Sequence, residues 1–184
     1  FIISLHEDRQ GRLWAGTSNG LVEMRGDTVH VHDLTSLDDA QDVFGFHESD
    51  DGSLWMATDR GLIRYRNDAL NLIGRRQGLP VDTIFQVIAD DNGQFWLTSN
   101  RGILRAARTE LEAVVAGHQP AATFEVYGES DGLASAQNNG GSGPVAWRTR
   151  DGRLWFGTAK GLAMTDPAKL ADFVREAPPV VIEE

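Results

Sequence analysis

The chain has 184 residues, of which 41% are hydrophobic and 24% charged, and its formal net charge is −10. A chain of this size buries roughly 70% of its unfolded surface, so disordered and fibrous proteins are excluded. No apolar run approaches the roughly 20 residues that span a bilayer, so we expect no direct membrane contact. An acidic protein without a block of Lys or Arg is also a poor partner for nucleic acid. The absence of cysteine excludes disulfides and thiolate metal sites.

One sequence frame recurs four times, around Trp14, Trp55, Trp96 and Trp155. Each Trp has a glycine three residues before it and another six after it. A small hydroxyl residue follows each Trp by three positions, and Leu or Ile follows it by seven. A period of about 40 to 45 residues with aromatic and glycine signatures is typical of a four-stranded propeller blade.

The repeat predicts an all-β fold, a β-propeller made of four-stranded antiparallel blades, with about four blades present as a partial propeller. In the second unit, strands are predicted at 43–47, 54–58, 62–65 and 70–73, joined by Asp/Gly turns at hairpin spacing. We predict blades at about 1–34, 43–73, 84–127 and 144–166, so that residues 1–166 form the propeller part.

Two short helices are predicted outside the repeated frame. Residues 109–117 lie in an insertion within the third unit and begin with Thr and two Glu, which favours a capped helix that ends at Gly117. A second helix is predicted from Pro167 to about residue 176, where Pro178 and Pro179 stop it. Residues 167–184 are therefore interpreted as an exit helix and the start of a connector to a downstream domain.

The frame from Asp8 to Leu21, Asp-x-x-Gly-x-Leu-Trp-x-Gly-Thr-x-x-Gly-Leu, resembles the two-component regulator propeller repeat. The stretch from Tyr127 to Thr158 is similar to the last blade of that family. Two departures are Ala57 and Thr98, which stand where the family favours Gly. The resemblance implies the C-terminal blades of a periplasmic sensor propeller from a bacterial hybrid histidine kinase or diguanylate cyclase. It also implies a polar small-molecule or oligosaccharide ligand, and an output domain elsewhere in the parent protein.

Most of the remaining motifs have a structural explanation. The frame tryptophans are expected to pack between blades. The pair His30 and His32 is interpreted as surface, and the acidic pairs before the turn glycines are interpreted as turn residues. No catalytic motif, metal-ligand set or cofactor-binding loop is predicted. Trp147 takes the position held by His6 and His47 in other units, which favours either the channel mouth or, for the histidines, ordinary half-buried packing.

A candidate ligand-binding face follows from the meander topology. The turn between the second and third strands of a blade lies on the same face as the connection to the next blade. We expect this face to be a locally cationic, amide-rich rim that binds carboxylates, sulfates or sugar hydroxyls. The alternative is ordinary solvated turns. The candidate ligand-binding residues are Asn19, Arg60, Arg101, Asn139, Trp147 and Lys160.

Two other functions stay open at this point. A lyase or glycosidase would need a general base or metal at the mouth, for which only His6 and His47 are available. A protein-binding scaffold would have a wide flat face instead of a pocket.

Four blades that do not close would leave apolar faces uncovered, one of them formed by Phe1, Ile2, Ile3 and Leu5. Such faces favour self-association, with a closed four-blade ring as the alternative. Glu23 is predicted to be a surface residue whose replacement by Gln costs almost nothing.

Overall fold

The computed structural model describes residues 1–140 and 143–170, and it contains four antiparallel sheets. The first comprises β1 (Ile2–Glu7), β2 (Leu13–Thr17), β3 (Gly20–Arg25) and β4 (Thr28–His32). The second comprises β5 (Val43–Glu48), β6 (Leu54–Thr58), β7 (Gly61–Arg66) and β8 (Ala69–Ile73). The third comprises β9 (Gln86–Ala89), β10 (Gln94–Ser99), β11 (Gly102–Ala107) and β12 (Glu125–Tyr127), and the last comprises β13 (Ala146–Arg148), β14 (Leu154–Thr158) and β15 (Gly161–Thr165).

Each sheet is a meander whose strands pair in chain order, as expected for propeller blades. The first strands of the sheets, β1, β5, β9 and β13, contact one another in chain order, as the inner strands of successive blades do. Three of the sheets have the four predicted strands, and in the described part of the chain the fourth sheet has three. The four sheets do not close into a ring. As a sign of this, apolar residues of the first and last sheets are exposed. The fold is therefore a partial propeller.

The glycine six residues after each frame Trp is required by the turn between the second and third strands. Gly61 has a φ of 127°, and a Cβ atom there would lie 2.4 Å from the backbone oxygen of Ile73. No side chain fits that space, and the positive φ is one that glycine adopts without a steric penalty.

Packing between neighbouring blades forms the core. Trp14 meets Tyr65 of the second blade, with ring centroids 4.9 Å apart, and Trp55 meets Phe95 of the third at 5.2 Å. Trp14, Trp55 and Trp96 are buried, as predicted. Trp155 is only half-buried, so the prediction is wrong for the fourth frame. The reason is that it faces away from the third blade, where no described residue covers it.

The helix predicted at 109–117 is present as α1 (Arg108–Val115), which begins one residue earlier and ends two residues earlier than predicted. Its N-cap residue is Ala107, whose side chain makes no capping hydrogen bond, and not Thr109. Leu111 and Val114 are buried in the core between the second and third blades, which explains why the helix docks there.

The second helix, α2 (Pro167–Leu170), begins at the predicted Pro. The rest of the predicted exit helix and the connector lie outside the described residues. None of the helices in the described ranges has the length and apolar character needed to cross a bilayer.

Candidate ligand-binding face

The connection face consists of the four turns at 18–19, 59–60, 100–101 and 159–160 together with the loops 33–42, 74–85 and 128–140. Backbone hydrogen bonds join the two sets: Ile84 N–H donates to Thr58 O at 2.9 Å, and Gly20 N–H donates to Gln41 O at 2.8 Å. Asn138 N–H likewise donates to Ser99 O at 3.1 Å. The turns and connections therefore share one face, as the topology predicts.

The small hydroxyl residue of each frame holds the turn of this face in place. Thr58 Oγ1 donates to Gly61 O at 2.9 Å and accepts from Arg60 N–H at 3.2 Å. Equivalent pairs of hydrogen bonds are made by Thr17, Ser99 and Thr158. The sequence showed the repeated hydroxyl, but its bonds to the backbone appear only in the folded turn.

As a result, the residue two positions after each hydroxyl is presented at an equivalent place on the connection face. These residues are Asn19, Arg60, Arg101 and Lys160, and all four are exposed. The structure therefore places four of the six candidate residues on one face, each in the equivalent turn of its own blade.

The other two candidate ligand-binding residues, Asn139 and Trp147, do not lie in these turns. Asn139 is exposed on this face, where its N–H donates to Gly157 O at 3.1 Å, while its neighbour Asn138 is buried. Trp147 does not lie on the connection face. It is in the middle of β13, paired with Trp155, and belongs to the open side of the last blade. The expectation that Trp147 lines the channel mouth is therefore wrong, because the pleat directs this position toward the next blade.

The connection face is not locally cationic. Arg60 Nε lies 3.9 Å from Asp59 and donates to the backbone oxygen of Asp38 at 3.0 Å. Arg75 pairs with Asp82 at 3.2 Å. The connecting loops thus add carboxylates that a count of the turn residues leaves out, and the face carries mixed charge.

One of these carboxylates has an unusual environment. Burial, together with the nearby charge of Asp59, raises the pKa of Asp42. Asp59 Oδ1 itself accepts N–H bonds from Gln41 and Asp42 at 3.0 and 3.1 Å. The base of the connection between the first two blades is therefore acidic.

An aromatic pair that the sequence analysis missed lies where the inner strands begin. A register shift between Val43 and Gly45 leaves Phe44 out of the β5–β6 ladder, and bulges of this kind redirect side chains. Phe44 contacts Phe85, the residue just before the next inner strand β9, edge-to-face with centroids 5.6 Å apart, and both rings are half-buried. A Cβ atom at Gly140 would lie 2.3 Å from the Phe85 ring, so a larger residue there would displace this ring. The available signal was that Ile3, Phe44 and Phe85 occupy the same position of successive frames.

The two histidines proposed for the mouth are instead packed between blades. His6 stacks on Phe46 at 5.8 Å and lies 3.8 Å from Glu48. His47 packs edge-on against Phe95, and burial, with the positive charges of His6 and Arg108, lowers its pKa to about 4. The half-buried interpretation is confirmed for both.

A charged cluster lies between the outer parts of the first two blades, beside a cavity of about 420 Å³. Its centre is Glu23, which is 4% exposed and accepts from Arg12 at 3.3 Å, Arg25 at 2.5 Å and, at 3.1 Å, contacts His32. Burial opposes ionisation of Glu23, but the hydrogen bonds from Arg25 and His32 outweigh it and lower its pKa.

Two predictions are therefore wrong: Glu23 is not a surface residue, and His32 is half-buried, although its neighbour His30 is exposed. Both errors arise because this face of β3 and β4 is covered by the second blade. Among the described residues, no group of His, Asp or Glu is placed to hold a metal ion.

Comparisons with known proteins agree with the repeat. The family model of the two-component regulator propeller matches residues 1–19. The extracellular domain of a hybrid two-component system from B. thetaiotaomicron superposes on all of this chain with a TM-score of 0.78 and 25% identity. The first of the four repeats therefore matches the two-component regulator propeller, and the other three share its spacing. The chain spans about a quarter of the length of the B. thetaiotaomicron structure, since it covers 24% of it.

Two further structures share the propeller fold. Virginiamycin B lyase from Staphylococcus aureus is 16% identical with a TM-score of 0.59, over 90% of this chain and 55% of the lyase. PorZ, a surface component of the type-IX secretion system of Porphyromonas gingivalis, is 12% identical with a TM-score of 0.62, over 94% of this chain and 27% of PorZ. No curated protein sequence matches the chain.

The repeats of this chain differ in how they hold the indole of the Trp that each repeat contains. Asp8 accepts from Trp14 Nε1 at 2.8 Å and Asp90 accepts from Trp96 Nε1 at 2.9 Å. The same position is Ser49 in the second repeat, where neither Ser49 Oγ nor Trp55 Nε1 has a protein partner although both are buried. In the first and third repeats a carboxylate thus accepts a hydrogen bond from the Trp indole, and in the second repeat no side chain does so.

Proposed function

We propose that the chain is the ligand-sensing propeller part of an extracytoplasmic bacterial receptor that relays to a downstream kinase or cyclase domain. The observation that carries this proposal is the likeness, over the whole chain, to the extracellular domain of a hybrid two-component system. The regulator propeller repeat supports it independently of the structure comparison. In this proposal the periplasm is the compartment, and the chain itself is not an enzyme.

The ligand proposed for the connection face is an oligosaccharide or another polar small molecule. Phe44 and Phe85 offer a half-buried apolar platform, and Arg60, Arg101 and Asn19 are exposed hydrogen-bond donors of the connection face. Binding sites commonly combine an apolar surface with a few oriented polar groups. Guanidinium groups in particular suit carboxylate or sulfate substituents.

The proposed relay is a population shift between arrangements of the blades. The loops of the connection face bond to the turns of neighbouring blades, as Arg60 does with Asp38 and Ile84 with Thr58. A ligand that prefers one spacing of these elements would favour the corresponding arrangement of blades, by as much as its affinity for the two arrangements differs.

The enzyme alternative is less well supported, because the two histidines that it required at the mouth lie elsewhere. His6 and His47, which it required at the mouth, pack against Phe46 and Phe95 between the blades. Likeness to the lyase concerns the fold and carries no catalytic residue to this chain.

Calorimetric titration of the chain with neutral and uronic-acid oligosaccharides tests the proposal. We expect Phe44→Ala and Arg60→Ala each to weaken binding about tenfold. Arg66→Ala is a matched control, because Arg60 and Arg66 are both 42% exposed and both paired with a carboxylate, but Arg66 lies at the end of β7 away from the connection face. Binding that Arg66→Ala weakens as much as Arg60→Ala would move the ligand off this face.

A further inference from the structure

The turn between the first and second strands of a blade holds a carboxylate on N–H groups. In the first repeat, Asp8 Oδ1 accepts from the backbone N–H groups of Gln10 and Arg12 at 3.0 and 2.9 Å. Its other oxygen, Oδ2, accepts from the indole of Trp14 at 2.8 Å. In the third repeat, Asp90 makes the same three bonds at 2.8, 2.9 and 2.9 Å. Two backbone N–H groups and one indole N–H thus form a cradle for a single carboxylate.

The second repeat forms the same turn with Ser49 in place of the aspartate. Ser49 N–H donates to Ser53 O at 2.9 Å, and Gly52 N–H donates to Ser49 O at 3.0 Å. The corresponding bonds of Asp8 and Gly11 in the first repeat are both 2.9 Å. Gly52 has a φ of 78° and Gly11 one of 75°. The second repeat therefore keeps the backbone of the cradle without its carboxylate.

Two donors of this cradle are buried and unpaired. Trp55 is fully buried and Ser49 is 2% exposed. Among the described residues, neither Trp55 Nε1 nor Ser49 Oγ meets a hydrogen-bond partner. The backbone donor Ser53 N–H is taken by Asp51 Oδ1 at 3.0 Å. Buried polar groups are nearly always paired with protein, water or an ion, and an indole N–H can only donate, so the partner of Trp55 must be an acceptor.

The charges around the cradle also lack one carboxylate in the second repeat. In the first repeat, two arginines contact two buried carboxylates, those of Asp8 and Glu23. In the second repeat, Arg64 and Arg66 share the single carboxylate of Asp51, at 3.8 and 2.7 Å. The side chain of Arg64 is 13% exposed, so water reaches little of its charge. A monovalent anion near Arg64 restores the balance that the first repeat has.

We infer that the second repeat binds a small monovalent anion, of the size of chloride, where the first and third repeats carry an aspartate carboxylate. The anion accepts from Trp55 Nε1 and Ser49 Oγ. The guanidinium of Arg64, which lies 5.8 Å from the centre of the Trp55 ring, supplies positive charge. The other acid of this turn, Asp50, already pairs with Arg9 of the first blade at 3.1 Å. A monatomic anion needs no acceptor of its own, and it takes the place of the carboxylate oxygens that serine lacks.

Urea unfolding of the full chain tests the site, at constant ionic strength and with chloride replaced stepwise by the larger anion gluconate. An ion that binds only the folded state stabilises it by mass action, so each tenfold rise in chloride above the dissociation constant should lower the unfolding constant about tenfold. The inference does not depend on the proposed function, because it concerns a buried turn away from the connection face.

Ser49→Asp supplies a tethered carboxylate to the cradle, so its unfolding should no longer depend on chloride. Thr149→Asp is the matched control, because it adds the same charge at the same position of the fourth repeat. That variant should keep the full chloride dependence of the native chain.

Bromide in place of chloride locates the ion directly, because its anomalous scattering marks its position in crystals. We expect a bromide peak beside Trp55 Nε1 in the native chain and none there in Ser49→Asp. Native stability that is equal in the two salts, chloride dependence that persists in Ser49→Asp, or native crystals without bromide at Trp55 would each overturn the inference. In those cases water, and not an anion, pairs with the buried indole.

Discussion

Glu23 shows how strongly one residue depends on the blade beside it. Its carboxylate is buried and receives hydrogen bonds from Arg12 and Arg25. Hydrogen bonds to a charged group contribute about 1.5–3 kcal/mol. We expect Glu23→Gln to lower the free energy of unfolding by ~2 kcal/mol, measured by urea denaturation. As a control, Asp27→Asn in the exposed turn before β4 should leave the unfolding midpoint unchanged.

Ser49 offers the opposite kind of test at the same scale. Trp55 Nε1 is buried without a protein acceptor, whereas the carboxylates of Asp8 and Asp90 accept from the equivalent indoles. Ser49→Asp should supply the missing acceptor and raise the free energy of unfolding by about 1 kcal/mol. The matched variant is Thr149→Asp, which places the same carboxylate near the half-buried Trp155 and should change stability little. A loss of stability with Ser49→Asp would mean that desolvation of the new carboxylate exceeds the hydrogen bond.

At the scale of the strand, the Trp of each repeat contributes most to the free energy of unfolding where a further blade covers it. Trp55 in β6 is fully buried against the third blade, and Trp155 in β14 is half-buried. Trp55→Ala should cost about 3 to 5 kcal/mol, as a large-to-small change in a core. Trp155→Ala should cost clearly less, because part of its surface is already hydrated. Equal unfolding midpoints for the two variants would contradict the packing described for β6.

For the whole molecule, the packed histidines predict acid sensitivity. The folded-state pKa of His47 is about 4, below the ordinary value of 6.5, so the unfolded chain takes up this proton first as the pH falls. The stability that neutral His47 contributes is complete above pH ~6.5 and is lost as the pH falls toward 4, by about 3 kcal/mol. Burial, with Glu23 opposing, also lowers the pKa of His32, which adds to the loss in the same direction.

The comparison of His47→Phe with the native chain measures this effect. The variant should retain more of its stability between pH 6.5 and 4.5, in urea titrations at several pH values. His118→Asn is the control, because His118 is exposed and should leave the pH dependence unchanged. If the native chain and His47→Phe lost stability in parallel over this range, the titration of His47 would not be its source.

The sequence alone determined the blade architecture, the turns and the α1 insertion. Strand alternation, turn glycines and the frame Trp are local signals that recur in register, so four copies reinforce one another. The same local pattern placed Asn19, Arg60, Arg101 and Lys160 at equivalent positions on one face, which the structure reproduces.

Only the tertiary structure decided which side chains meet another blade. Glu23 and Arg64 hold the same frame position, yet what surrounds each depends on residues of the next blade that are distant in sequence. Trp147 holds the same position in its repeat as His6 and His47 do in theirs. The two histidines are covered by the next blade, whereas Trp147 is exposed. The bulge that redirects Phe44 and the carboxylates that neutralise the connection face likewise arise from contacts between segments, because packing and desolvation are properties of the assembled surface and not of the repeat.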